Sequence, residues 1–451
     1  MTELAELAGR AVELTIAAGA DHAEAYVAEE TRREVRAHGG EVESLAAATQ
    51  RGVGVRAWIG VRVGYSFGSG FEATGVEAIA VRAAGNARIA DEDEFAGPPT
   101  PAGQVPSIPG LSDPAMGEWQ VARLVELALG VERSALEADT RIAGVEQAVY
   151  ADSADRVALA SSTGVAGAFE ASSCYAYLQA LAESGEGRES GLGFGLARGP
   201  AGLEPDAIGR EGAERATEMI GASKPASRSC PVVLDPTVAA SFVGLLGGAL
   251  GADAVQRGRS PLADRLGAEI AAPAFVLRDD GLNPDGPASS PIDGEGVPHR
   301  STPLVRDGRL LAYLYDTYTA RRGDAATTGN AGRSGYRAQP SVSASNLIVD
   351  PGPLDFDGLL QEAGEGVFVT DVAGLHSGVN PVSGVFSVGA SGRAIRGAEL
   401  AEPLREFTIA GDLVSMLGAV RAAGSTPRWV PFGGSVSVPP LLIGELAIAG
   451  T

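Results

Sequence analysis

The run Arg51-Gly52-Val53-Gly54-Val55-Arg56-Ala57-Trp58-Ile59-Gly60-Val61-Arg62-Val63 sets Val53, Val55, Ala57, Ile59, Val61 and Val63 two residues apart. Apolar side chains at period two line one face of a strand, so a β-strand is predicted over Arg51 to Phe67. A second strand-like run, Ala23 to Arg36, precedes it and carries Ala25, Val27 and Val35. On either side the period changes. Leu4, Leu7, Ala8, Ala11, Leu14 and Ala18 recur at helical spacing between residues 3 and 18, and Gly19 follows as a helix stop. Another helix is predicted from about Thr74 to Ala90. Helix, strands, helix in that order describes a small α+β layer domain over residues 1–95.

From Asp91 to Pro114 periodicity fails, and Pro98, Pro99, Pro101, Pro106, Pro109 and Pro114 mark a linker, assigned to 96–116. A helix over about Glu118 to Ala138, strands between 141 and 196, and a helix near Pro205 to Ile220 make a middle α+β domain, 117–225. The remainder, 226–451, opens with an apolar strand at Cys230 to Leu234. The turn Asp235-Pro236-Thr237 leads into a helix over Val238 to Val255, and a long glycine-rich β tail follows. That part is predicted to be a mainly antiparallel β-rich domain, so the whole chain is of the α+β class. Internal repeats with a period of about 20 to 50 residues are absent from the sequence.

The bulk numbers narrow the partners. A chain of 451 residues with 45% hydrophobic and 20% charged side chains can bury a sizeable core, and its 62 glycines are scattered rather than clustered. A net charge of −22 repels nucleic acid and anionic membrane, so neither is expected as a partner. Lys224 is the only lysine. Two cysteines, Cys174 and Cys230, are too few for a disulfide framework or a thiolate metal site. The N-terminus is acidic and lacks a basic segment ahead of an apolar run, and no apolar stretch is long enough to span a bilayer. The expected location is the cytoplasm.

Chemistry is sparse. The four histidines, His22, His38, His299 and His376, include no pair three to five residues apart, whereas a zinc-binding helix needs two imidazoles on one face with a Glu beside them. No metal site is therefore expected in this chain. Gly52-Val53-Gly54 and Gly193-Phe194-Gly195 complete no phosphate-binding fingerprint, and Ser383-Gly384 lacks the nucleophile elbow of serine hydrolases. Asp279-Asp280 and the pair Asp293 and Glu295 sit among glycines and prolines without calcium-loop spacing, and are expected on a solvated loop face. The segment from Asp371 to Ser387 gathers His376, Ser377, Asn380 and Ser383 in a turn-rich loop between apolar strands, a make-up suited to binding.

Several segments resemble the PmbA/TldD family. Asp293-Gly294-Glu295-Gly296-Val297-Pro298, Pro303-Leu304-Val305, Tyr315-Asp316-Thr317-Tyr318-Thr319-Ala320-Arg321 and Thr328-Gly329-Asn330 are similar to its C-terminal domain. The loop from His376 to Gly389, Pro403-Leu404-Arg405-Glu406 and Thr408-Ile409-Ala410-Gly411 resemble its PmbA/TldE branch. Gly19 to Val27, Gly40 to Ser44 and Arg51 to Arg56 fit its first domain, so the resemblance covers almost the whole chain in order.

The resemblance implies a heterodimeric zinc peptidase whose TldD-type subunit carries H-E-x-x-x-H on a helix and a Cys ligand near the chain end. Here the matching positions are Val243 and Gly248 for the two histidines and Gly244 for the glutamate, and no cysteine follows Cys230. None of these side chains can ligate a metal or activate water. The resemblance thus implies a zinc-less subunit, with zinc in a TldD-like partner, acting on short or unfolded peptides. His376, Ser377, Asn380, Ser383, Arg321 and His299 are its candidate cleft residues. A stand-alone binding or scaffold protein, and a complex tailoring a peptide-like natural product, are the alternatives. A homodimer is expected when the partner is absent.

Overall fold

The computed structural model describes residues 1–451 apart from 102, 186 and 433. The N-terminal part runs α1 (Thr2–Ala17), β1 (His22–His38), β2 (Glu41–Ile59), β3 (Arg62–Ser69), α2 (Ala73–Ile89), α3 (Val121–Ala138), β4 (Ile142–Ser161), β5 (Ala166–Ser184), β6 (Gly187–Ala197) and α4 (Pro205–Glu218). The single strand expected over Arg51 to Phe67 is a hairpin: Gly60, at φ +56°, adopts the left-handed turn that an L side chain resists, and Val61 is left exposed. β1 pairs with β4 over fourteen positions, from Glu24↔Ser161 to Ala37↔Ala148. The first and middle segments therefore share one antiparallel sheet, ordered β3-β2-β1-β4-β5-β6.

One face of this sheet carries helices. α1 and α2 bury Leu4, Ala8, Ile79 and Ala83 against Val53, Val55 and Ala57, while α3 and α4 cover Val35, Tyr150 and Leu178. The other face is no solvent face either, because Arg56 and Trp58 are also buried, under the C-terminal part. The proline-rich linker is packed rather than free. Thr163 Oγ1 donates to Pro99 O at 2.8 Å, Ser172 N donates to Leu111 O at 3.1 Å, and Ile108 and Leu111 are buried.

The C-terminal part continues with β7 (Arg228–Leu234), α5 (Pro236–Ala249), α6 (Ala252–Gln256), β8 (Leu277–Asp280), β9 (Ser301–Arg306), β10 (Arg309–Leu310), α7 (Thr317–Arg322), β11 (Ala331–Gly332), β12 (Ser341–Val342) and β13 (Leu347–Val349). It ends with α8 (Phe356–Ala363), β14 (Gly366–Ala373), α9 (Leu375–Gly378), β15 (Val385–Arg396), β16 (Glu399–Asp412), α10 (Leu413–Gly418), β17 (Val420–Ala423), β18 (Arg428–Val430), β19 (Val436–Val438) and β20 (Leu441–Ala449). One sheet is ordered β10-β9-β8-β13-β19-β18, another β16-β15-β14-β7-β20-β17. An added β16–β20 pairing closes β7, β14, β15, β16 and β20 into a ring. Among the described residues only β7–β14 and β13–β19 pair in parallel within these two sheets, in keeping with a mainly antiparallel domain.

Helix α5 begins where the Asp235-Pro236 signal places it. Asp235 accepts a hydrogen bond from Thr237 N at 2.8 Å, and Pro236 occupies the first turn, where its missing N–H is not needed. The expected helix over Val238 to Val255 is interrupted. At Gly251 the chain forms a bridge with Leu314, through Leu314 N to Leu250 O and Ala252 N to Leu314 O at 2.9 Å each, and α6 starts anew. Asp235 also meets Arg215 of α4 at 3.0 Å. Asp235→Ala is expected to cost about 1–2 kcal/mol, and Asp235→Asn, which keeps the cap, less than half of that. Urea unfolding of the two variants checks the difference.

Candidate functional site

The helix positions that the resemblance sets against a zinc motif lie on α5. Val243 is buried in the C-terminal core with Phe242 and Leu246. Gly244 and Gly248, with Gly247, border a cavity of about 220 Å³ whose far side is Val342 to Ser345 and Ser435. The nearby hydroxyls are already engaged: Ser345 Oγ donates to Asp279 at 2.8 Å and Ser435 Oγ to Asn346 at 2.7 Å. A hydrocarbon and two glycines supply no lone pair, so a zinc ion does not fit these side chains. Among the described residues, no group of three or more His, Cys, Asp or Glu side chains stands together as a metal site.

Two larger cavities adjoin this one where the N-terminal sheet meets the C-terminal part. The first, about 580 Å³, lies between Tyr26 and Phe169 of the sheet and a wall carrying Ser290, Asp293, His299, Asn330 and Arg333. The second, about 410 Å³, is lined by Arg56, Trp58, Asp253, Arg257, Glu295 and Asp316 among others. The segment Gln339 to Ser345 borders all three cavities. It contains β12, which pairs with β11 alone, so among the described residues its second edge has no strand partner.

A buried charge network holds this junction together. Arg56 bonds Glu24 through Nε at 3.2 Å and through Nη2, and Glu295 through Nη1 at 3.0 Å. Arg333 Nη2 donates to Glu24 at 2.8 Å, and Thr317 N donates to Glu295 at 2.9 Å. Glu24 and Arg56 come from β1 and β2, the others from the C-terminal part. Burial alone would raise the Glu24 carboxyl, but the guanidiniums of Arg56 and Arg333 outweigh it and hold it below the usual range. Burial would likewise lower Arg56, and Glu24 and Glu295 reverse that.

Of the acids expected on a solvated loop face, Asp280 is half-buried and the other three are buried. Asp279, Asp293 and Glu295 are between 1% and 5% exposed. Asp293 accepts from the backbone N–H groups of Glu295 and Val297 at 2.9 Å and of Ala331 at 3.1 Å, which shapes the loop around it. Burial, with the charge of Glu295 beside it, pushes Asp293 up to about 7, and burial pushes Asp279 to about 6. The folded state then binds more protons than the unfolded chain between pH 4 and these values, so stability falls as pH rises through that window. Titrating the unfolding midpoint from pH 5 to 8 should show this loss, at most about 1.4 kcal/mol per pH unit for each group, and Asp293→Asn should flatten it.

The structure does not bring the six candidate cleft residues together. His299 lines the first of these cavities, packed against Gly281, with Nδ1 at 3.3 Å from Ser290 Oγ, and burial pulls it down to about 4. Arg321, on α7, donates to Gly97 O at 2.7 Å and to Pro98 O, so it straps the linker down. His376, Ser377, Asn380 and Ser383 are exposed on and after α9, and none of them borders the three cavities. The polar atoms of Ser377 and Asn380 serve the loop itself: Asn380 Oδ1 accepts from Val382 N at 3.0 Å and Ser383 N at 3.1 Å, and Ser377 Oγ donates to Gly374 O at 3.3 Å. Of the residues that do form the junction, Glu24 and Arg56 fell within the segments resembling the family's first domain, Gly19 to Val27 and Arg51 to Arg56, but nothing local marked them, or Arg333, as a site.

Comparison with known proteins matches the PmbA/TldA metallopeptidase C-terminal domain to residues 227–450, its central domain to 116–220 and its domain 1 to 23–87. The Metalloprotease PmbA of Escherichia coli O157:H7 is 26% identical over 444 residues, covering 97% of this chain and 94% of that protein. The Metalloprotease PmbA homolog of Haemophilus influenzae is 27% identical, covering 92% and 90%. In fold, the chain superposes on the crystal structure of TldE from Thermococcus kodakarensis with a TM-score of 0.91 at 22% identity, over 98% of this chain and 100% of that one.

Proposed function

Because this chain belongs to the PmbA/TldD metallopeptidase family, we propose that it is the zinc-less, PmbA/TldE-type subunit of a two-subunit peptidase. Its partner would be a TldD-like subunit that carries the zinc, and the substrate a short or unfolded peptide. The observation that carries this reading is on α5, where Val243, Gly244 and Gly248 leave no ligand and no base while the cavities around Gln339 to Ser345 persist. A chain without the catalytic groups can still close a chamber and hold substrate. The unpaired edge of β12 suits addition of an extended peptide by backbone hydrogen bonds, which are indifferent to sequence. Among the described residues no helix is long and apolar enough to cross a membrane, and we place the complex in the cytoplasm as part of the same reading.

Affinity purification of the tagged chain from its native host tests this. A near-stoichiometric protein carrying H-E-x-x-x-H should be retained, and the pair should cleave unstructured peptides in a chelator-sensitive way while this chain alone does not. Recovery of the chain without such a protein, or hydrolysis by the chain alone, would overturn it.

A further inference from the structure

A further cavity, of about 370 Å³, shares no lining residue with those at the junction and lies where β5, β6 and α4 face β14, β15 and β16. Four carboxylates, Glu189, Glu218, Asp235 and Asp371, line it against three guanidiniums, Arg215, Arg393 and Arg405. Most of these charges satisfy one another. Arg215 bonds Asp235 at 3.0 Å, and Arg405 Nη1 donates to Glu189 at 2.8 Å. Arg393 is held by a carbonyl instead, its Nε and Nη2 donating to Ala401 O at 3.1 and 2.9 Å. Its Nη1 stays 3.6 Å from Glu218, beyond hydrogen-bond reach. Asp371 is exposed to the cavity and forms no ion pair among the described residues. A β-bulge puts it there. β14 has one residue more than β15 between Val369 and Asp371, so Thr370 and Asp371 both border the cavity, which consecutive residues of a regular strand do not. Asp371 lies opposite Ser391, and Arg393 follows two residues further along β15 on the same face. Cα atoms on such a diagonal are about 7–8 Å apart.

We propose that this cavity binds a free α-amino acid with an apolar side chain, its ammonium on Asp371 and its carboxylate on Arg393. A lone carboxylate and a guanidinium with one idle end stand side by side without pairing, and a zwitterion answers both with charge-assisted hydrogen bonds. A simple anion would add to the excess of carboxylates, and a simple amine would leave Arg393 Nη1 idle. An ammonium has three hydrogens to donate, and Thr237 Oγ1, buried on the rim of the same cavity without a hydrogen-bond partner, can accept one of them. Leu192, Met219 and Phe368 supply an apolar wall for the side chain. The volume is at the small end of the range for ligand sites, in keeping with one amino acid rather than a peptide. The site stands apart from the cavities around Gln339 to Ser345 and does not rest on the peptidase reading.

The test is a titration of the purified full-length chain with L-leucine up to about 10 mM, followed by NMR of its methionine methyl groups. Of the four methionines, Met219 borders the cavity, and its signal should move while those of Met116 and Met416 stay in place. N-acetyl-leucine, which lacks the ammonium, and leucinamide, which lacks the carboxylate, should each bind at least about tenfold more weakly. Asp371→Asn, which keeps the shape of the side chain, should weaken leucine by a similar factor with an unchanged circular dichroism spectrum. Should that variant fail to fold, leucine against its two derivatives on the wild type decides. An unmoved Met219 signal, equal binding of leucine and either derivative, or a folded Asp371→Asn chain that binds leucine as the wild type does overturns the proposal.

Discussion

Arg56→Met should lose about 3–5 kcal/mol of unfolding free energy, the range found when one member of a buried ion pair is removed. The Arg56 guanidinium is 9% exposed and its partners Glu24 and Glu295 are 1% and 2% exposed, so water cannot replace what the substitution takes away. Glu24 would keep Arg333, but among the described residues Glu295 would retain only Thr317 N as a donor to its carboxylate. The loss should therefore be partly recovered in Arg56→Met with Glu295→Gln, which removes the stranded charge. Arg10→Met provides the contrast, because Arg10 and Glu13 are 63% and 72% exposed and such a pair is worth less than about 1 kcal/mol. Equilibrium urea unfolding at pH 7 reads all three. A cost for Arg56→Met no larger than that for Arg10→Met would mean that the network does not hold the junction.

Gly54→Val should have the next largest effect. A Cβ at Gly54 would overlap the carbonyl oxygen of Tyr336 and the hydroxyl of Tyr65, and one at Gly52 would run into the Tyr336 ring and Gly68 O. Two of these obstacles are backbone atoms, which cannot rotate aside. Overpacking of this kind costs about 1–3 kcal/mol, and here it would also break the bonds from Tyr65 Oη to Tyr336 O at 2.6 Å and Ala338 O at 3.0 Å. The N-terminal sheet should keep its own core, since Val53, Val55 and Ala57 face the helices on the other side. Hydrogen exchange should accordingly quicken between residues 331 and 345 and stay slow in β1 and β4. Tyr65→Phe, which removes only the hydroxyl, should cost about 1 kcal/mol.

Much of the fold could be read from local pattern. α1, α2, α3 and α4 each carry an apolar face at helical spacing, and Asp235-Pro236 marked the start of α5 correctly. Non-local structure escaped. Glu41 to Gln50 shows no alternation because neither of its faces is covered, so half of β2 carried no signal. The break between α5 and α6 depends on a bridge to Leu314, more than sixty residues onward along the chain. Asp293 and Glu295 sat among glycines and prolines and looked solvated, yet the arginine that neutralises Glu295 is 239 residues away. His376 and Asn380 combined polarity with turn signals, and that combination describes equally well a loop that satisfies its own backbone.

The β1–β4 pairing also constrains how the chain is made. During synthesis β1, β2 and β3 emerge first, and β1 must wait for the residues up to Ser161 before its second edge is bonded. At about 5–20 residues per second that delay is roughly 5–20 s, and Glu24 waits longer still for Arg333 to leave the ribosome. For that interval the hairpin presents two open edges, one of them alanine-rich, under conditions where strands of neighbouring nascent chains can find each other. The helices that come between, α2 and then α3, are local structures that form quickly, and α2 can shield the apolar face of β2 before β4 exists. Helix formation ahead of sheet closure thus covers the apolar face of the hairpin while its edges still wait for β4.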